Sequence, residues 1–257
     1  MLPRLALLLT ISTALLAGCG GGSNTREATA TGHTDAHRAA KVNVELGQGY
    51  MQRGDNKIAL EKLQTAIRLD PNSVDAHTVI AVLYERVGLM DKAEMHYRKA
   101  TELAPENGEV LNNYGAHLSR TQRYAEAEEY FQRAMKDPFY PTPAALLGNA
   151  GSCALQAGNA ASAENFFRMA LKLDARQPLA LFQMAQIELD SGNALSARAF
   201  IQRYEAVSPP SGQALELGER IESTLGDREA AENYRNRLQT EFPDYKPTTT
   251  SGGATSP

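Results

Sequence analysis

The feature that most constrains this chain is a period. Alanine recurs at Ala59, Ala93, Ala127, Ala163, Ala197 and Ala231, at intervals of 34, 34, 36, 34 and 34 residues. Glycine keeps the same register at Gly54, Gly88, Gly158, Gly192 and Gly226, with Gln122 standing in the third copy. Proline closes four of the copies, at Pro71, Pro105, Pro209 and Pro243. A fixed period of this length means one supersecondary unit stacked on itself, because a single unit cannot bury its apolar face alone.

Each recurring position has a physical reason. The glycine follows about four helical turns and supplies the left-handed conformation that ends a helix. The alanine lies five residues later, where the second helix of a hairpin crosses the first and a larger side chain would hold the axes apart. Gly47, Ala81, Gly115, Gly151 and Ala185 supply the small partner on the first helix. Leu63, Tyr97, Phe131, Phe167 and Ile201 are then expected to fill the space between hairpins. Proline stops the second helix and opens the next loop.

This pattern resembles the tetratricopeptide repeat, and six copies fit: 40–73, 74–107, 108–143, 144–177, 178–211 and 212–245. The resemblance implies an all-α fold, a right-handed superhelical solenoid of six helical hairpins. The third copy is two residues longer and ends in Asp137-Pro138-Phe139-Tyr140-Pro141-Thr142-Pro143, either an exposed contact surface or a rigid connector with its aromatics turned inward. The sixth has Glu219 where a small residue is expected and Arg235 at the packing position, which suits a terminal copy that faces water.

Ahead of the repeats, Met1 to Arg4 carries one positive charge and Leu5 to Leu16 is nearly all apolar, too short a run to span a bilayer comfortably. Residues 1–18 read as a signal peptide. Leu16-Ala17-Gly18-Cys19 resembles the lipobox of bacterial lipoproteins, which implies cleavage before Cys19 and lipidation of that cysteine, with palmitate among the usual acyl chains. Gly20 stands where an aspartate would retain such a protein in the inner membrane, so the resemblance implies the outer membrane. Residues 19–39 are expected to form the lipidated cysteine and a flexible tether, and 246–257 a disordered polar tail.

Composition excludes several functions. Without residues 1–18 the chain has 25 basic and 30 acidic residues, scattered among one another, so no basic patch for nucleic acid is expected. With Cys19 lipidated, Cys153 is the one remaining cysteine and no internal disulfide forms. Cys153 lies between small residues and reads as a structural thiol rather than a nucleophile. His77, His96 and His117 are read as lying on different hairpins with different facing. His33 and His37 lack further ligands, so no metal site is assigned. No catalytic residue, cofactor or small-molecule substrate is expected.

In tetratricopeptide-type stacks the first helices line a concave face. The resemblance places Lys41, Val44, Gln48, Met51 and Gln52 of copy one there, and Asp75, Thr78, Val82, Glu85 and Arg86 of copy two. Domains of this type that clamp an acidic C-terminus carry Lys and Asn where this chain has Val44 and Gln48, which argues against that use. Val44, Met51, Asn112, Leu155 and Phe182 are the expected partner-binding residues.

Leu111-Asn112-Asn113-Tyr114-Gly115, Gln122-Arg123-Tyr124, the proline-rich break after copy three and the ending Arg237-Leu238-Gln239-Thr240-Glu241-Phe242-Pro243 resemble the PilF/PilW family of type IV pilus biogenesis lipoproteins. Those proteins are six-repeat outer-membrane pilotins. The resemblance implies binding of secretin subunits, their localisation and multimerisation in the outer membrane, and so a role in twitching motility. The alternative is a general lipoprotein adaptor that scaffolds peptidoglycan hydrolases or envelope assembly.

Overall fold

The computed structural model describes the backbone of residues 24–246 and the side chains from Asp35 onward. The signal peptide, Cys19 and nearly all of the tail lie outside the described residues. Within them the chain forms twelve α-helices: α1 Asn24–Gln52, α2 Asn56–Leu69, α3 Val74–Arg86, α4 Met90–Leu103, α5 Gly108–Arg120, α6 Tyr124–Ala134, α7 Pro143–Gln156, α8 Ala160–Leu173, α9 Pro178–Asp190, α10 Ala194–Glu205, α11 Gly212–Leu225 and α12 Arg228–Glu241. Successive helices pair as hairpins, and each hairpin packs on the next through both of its helices. The result is the expected solenoid of six hairpins.

The repeated residues do what their chemistry requires. Gly54, Gly88, Gly158, Gly192 and Gly226 all have φ between +77° and +84°. The six register alanines are buried. A Cβ on Gly47 would fall 2.7 Å from the Leu63 side chain, and one on Gly151 would fall 2.7 Å from the Phe167 ring. These large residues therefore fill the gap between the two helices of their own hairpin, and Tyr97 also reaches the next one, its ring 5.1 Å from that of His117. The partner glycine is needed because the ring occupies the volume a side chain would take.

Four of the first helices, α3, α5, α9 and α11, begin with side-chain caps. Ser73 accepts a hydrogen bond from the Ala76 amide, Asn107 from Val110, Gln177 from Ala180 and Ser211 from Ala214. Each cap satisfies one of the amides that a helix start leaves without a partner.

Two expectations need correction. The stretch expected as a tether up to residue 39 is helical from Asn24 onward, as α1 extends well ahead of the first repeat. Ala28, Ala30, Ala36, Ala39 and Ala40 favour helix, and from Ala40 the growing helix is anchored by packing on α2 and α3. In the sixth hairpin the small-against-large contact survives one residue early, with the Tyr234 ring over Gly218. The register positions themselves carry an ion pair, in which Arg235 Nη2 lies 2.7 Å from Glu219 Oε1.

Candidate protein-binding face

The faces of the odd-numbered helices form grooves where the repeat register places them. Near the N-terminal end, a groove of about 230 Å³ is lined by Lys41, Val44, Gln48, Asp75, Thr78 and Glu109 among others. Near the other end, about 340 Å³ is bounded by Phe182, Gln186, Leu217 and Arg220. The walls are polar and charged over apolar floors. Such a surface suits a peptide or helix whose apolar side chains reach down while its backbone meets polar groups.

Five residues are expected to carry this contact, and the structure separates them. Val44 and Met51 are 4% and 6% exposed and belong to the central core cluster. Met51 is corrected from a partner contact to a packing residue and Val44 to the nearly closed floor of the N-terminal groove, because α3 lies against α1. The Met51 carbonyl also accepts a hydrogen bond from Arg86 Nη1 at 2.6 Å. Asn112 is buried too, its Oδ1 accepting from Asn149 Nδ2 at 3.0 Å, so it ties hairpin three to hairpin four. Leu155 and Phe182 remain partly exposed, with the Phe182 ring 5.5 Å from that of Tyr204. The structure does not bring the five together as one surface.

Polar groups in the middle of the stack are engaged with one another. The Glu85 carboxylate accepts from Arg120 Nε and Nη2 at 2.7 and 2.6 Å, from His117 Nδ1 at 3.0 Å and from Tyr97 Oη at 3.2 Å. Burial alone would raise its pKa, but the bonds from His117 and Arg120, with the Arg120 charge, hold it down at about 2. Glu94 similarly receives Arg123 at 2.7 Å and Tyr114 at 3.3 Å. These groups are structural clasps between hairpins two and three.

The histidine reading is corrected. His77 and His96 share the second hairpin and converge, their Nδ1 atoms 2.9 Å apart and their rings 5.1 Å apart. His77 Nε2 donates to the Pro71 carbonyl at 3.1 Å, so its Nδ1 is the acceptor for the proton on His96 Nδ1. Burial lowers the pKa of both; for His96, with the His77 charge adding to the effect, it falls to about 4. A signal for this pair lies in the repeat register. The same two positions hold Leu111 with Tyr130, Leu147 with Phe166 and Leu181 with Phe200 in the next three copies. Large apolar residues at both positions in those copies mark them as packing positions.

Catalytic chemistry finds no support in the arrangement. Cys153 is buried, its thiol pushed up by desolvation against the lowering effect of a bond with Ser119, and its Sγ donates to the Tyr124 carbonyl at 3.8 Å. A nucleophilic thiol needs the opposite environment, one that favours thiolate. It lines a cleft of about 360 Å³ between hairpins three and four with Tyr124, Met135, Ala154 and Phe166, which sequence reasoning did not foresee. Ala150 and Ala154 on α7, with Ala157 just after it, leave that space. Among the described residues, no three His, Cys, Asp or Glu side chains are grouped to hold a metal, and His37 Nδ1 is bonded to Asp70 Oδ2 at 2.8 Å. No described helix is long and apolar enough to cross a membrane.

Comparison with known proteins agrees with this geometry. The tetratricopeptide repeat family matches residues 72–137 and 106–176, and a second repeat description matches 47–88. The type IV pilus assembly protein PilF of Pseudomonas aeruginosa is 30% identical over 243 residues, which cover 95% of each chain. The solved structure of P. aeruginosa PilF superposes with a TM-score of 0.74 at 31% identity, covering 82% of this chain and 95% of that one. The crystal structure of PilW, described as a widely conserved type IV pilus biogenesis factor, gives 0.73 at 31% identity over 80% and 95%. The matched families are repeat families, built to hold protein partners. The chain belongs to the PilF/PilW family of tetratricopeptide-repeat proteins of type IV pilus biogenesis.

Proposed function

We propose that this protein is a non-catalytic outer-membrane pilotin, lipid-anchored through Cys19, that binds secretin subunits of the type IV pilus and promotes their multimerisation. The observation that carries the reading is the similarity to PilF over 95% of both chains, which spans the whole repeat array rather than a shared stretch of repeats. The physical logic needs no chemistry on the partner. Subunits held on one lipid-anchored scaffold are raised in effective concentration at the membrane, and ring closure follows from that concentration. Several acyl chains, at about 0.8 kcal/mol per buried methylene, make a durable anchor.

The N-terminal groove is assigned as the secretin contact, with Gln48, Asp75 and Thr78 in place of the buried Val44 and Met51. Cys19→Ala is expected to leave a folded protein in the soluble periplasmic fraction and the secretin monomeric or mislocalised. Asp75→Lys combined with Thr78→Arg is expected to keep the circular dichroism spectrum and lose secretin in a pull-down from detergent-solubilised envelope. Normal secretin multimers and twitching in the Cys19→Ala strain would overturn the pilotin reading. Undiminished capture by the groove variant would move the contact elsewhere on the solenoid.

A further inference from the structure

The insertion that lengthens the third copy presents one aromatic ring to solvent while fixing the loop beneath it. Phe139 is 91% exposed. Its neighbours are held: one Asp137 carboxylate oxygen accepts the Gly108 amide at 2.8 Å and the other accepts the Phe139 amide at 2.9 Å. Tyr140 turns inward over Gly108, where a Cβ would meet its ring at 2.9 Å. Pro138, Pro141 and Pro143 restrict the backbone on both sides. A large apolar side chain held outward on a loop ordered by its own bonds has little ordering cost left to meet on binding.

The direction in which it points selects the occupant. Odd-numbered helices all start at the edge of the solenoid where even-numbered helices end, and the Asp137–Pro143 loop lies on that edge. So does the place where α1 leaves the repeat array, fixed by the His37–Asp70 contact at 2.8 Å. From His37 the helix runs outward to Asn24, about 20 Å at about 1.5 Å per residue. Cys19 precedes Asn24 by five residues, a reach of at most about 18 Å, too short to return along the array to the opposite edge.

We propose that the Asp137–Pro143 loop is a second membrane contact, seating the Phe139 ring in the interfacial region of the bilayer that holds the Cys19 lipid. This rests on the lipid-anchor reading above. Leu173, 60% exposed, ends the next hairpin on the same edge and extends the apolar contact. Lys136, Lys172 and Arg176 flank the two residues and are exposed, while Glu102 at the end of α4 and Glu106 on the loop after it offset their charge. The ring rather than net charge therefore makes the contact, and it changes little with salt. One ring binds a bilayer weakly alone; tethering by the lipid makes the contact intramolecular. A tilt of α1 away from the bilayer normal lowers the rim of this edge, which an upright helix would hold about 20 Å off the surface.

The chain contains no tryptophan, so a single introduced indole reports its own surroundings. Phe139→Trp is made in the full lipidated protein, reconstituted into vesicles of phosphatidylethanolamine and phosphatidylglycerol, and compared with Leu195→Trp. Leu195 is 71% exposed at the start of α10, on the opposite edge. The expected result for the Phe139→Trp protein is a blue-shifted emission, quenched by brominated lipid and insensitive to salt, with neither change for the Leu195→Trp protein. Protein that fails to float with vesicles would remove the anchor reading and this inference with it. Phe139→Trp protein that floats while its indole emits as in water would overturn this inference alone. So would an indole shielded only after a protein partner is added.

Discussion

At the scale of single residues, the titrating groups make a stability profile whose parts fall in different pH windows. Glu85, held at about 2 against an ordinary 4.5, adds stability that is complete above about pH 4.5 and lost as pH falls toward 2. His96 acts earlier. Its pKa in the fold is about 4 against an ordinary 6.5, so between those values the unfolded chain binds the proton first. Stability therefore falls as pH drops from 6.5 toward 4, before the carboxylates contribute. His77 adds in the same direction, with Lys99 lowering its pKa further and Asp70 opposing. Replacing the pair by His77→Leu with His96→Phe reproduces the aliphatic-aromatic pairing of the next three copies. Urea unfolding from pH 7 down to 4.5 is expected to show a loss of about 1–2 kcal/mol in the natural protein and a nearly flat profile in the double variant, allowing for solvent screening at half-buried rings. Parallel profiles would show that the pair does not carry the pH dependence.

At the scale of the helical hairpin, the third copy departs from the others at one backbone position. Gln122 has φ +63° where the remaining copies have glycine. An L-residue in this region costs about 1–2 kcal/mol, and glycine removes that cost while losing some entropy in the unfolded chain. The turn is held regardless: the Gln122 amide donates to the Ser119 carbonyl at 3.0 Å, and Arg123 bridges Glu94 and Glu126 at 2.7 and 2.6 Å. Gln122→Gly is expected to stabilise by about 0.5–1 kcal/mol, and Gly88→Gln to destabilise by a similar amount, as read by thermal unfolding. An unchanged midpoint in both would mean that the side chains, not the backbone angle, set the energy of this turn.

The contrast between that position and the groove explains what can be read from the sequence. The demand at Gly88 or Ala93 is set inside one hairpin, by a backbone angle or a single helix crossing, so residue type alone reveals it. The exposure of Val44 and Met51 is set by how closely α3 settles on α1, which depends on side chains in the following copy. Register places them toward the concave side; only the stacked neighbour shows that they are its floor. The His77–His96 contact escapes a reading that assigns the two to separate hairpins, although both lie between Val74 and Asn107. Tyr140 and Phe139, adjacent in one loop, take opposite directions because Asp137 captures the two nearby amides.

At the scale of the whole molecule, cohesion is uneven along the stack. One core cluster runs from Ala40 to Cys153 and joins the first four hairpins, whereas the later hairpins divide between two smaller clusters, 147–184 and 185–221. The last two hairpins share the small 185–221 cluster and add polar contacts around it, among them Arg198 with Glu222, Arg237 with Glu205 at 3.2 Å and Tyr234 with Glu205 at 2.8 Å. In a solenoid each unit is stabilised by its neighbours, so a terminal unit, which has one neighbour and joins only a small core cluster, opens without disturbing the rest. The N-terminal unit is terminal as well, and Val42 and Leu46 are 48% and 43% exposed where Ala76 and Ile80 of the next copy are buried. Its longer α1 and its share in the large cluster hold it more firmly. Native-state hydrogen exchange should therefore show α11 and α12 opening first and α3 to α6 last, with protection differing by about 10- to 100-fold, or ~1.4–2.7 kcal/mol. That order would keep the N-terminal groove intact while the far end opens. Equal protection across all six hairpins would instead mean that the array unfolds as one cooperative body, and that the small 185–221 cluster with its polar contacts couples the last two hairpins as tightly as the large core couples the first four.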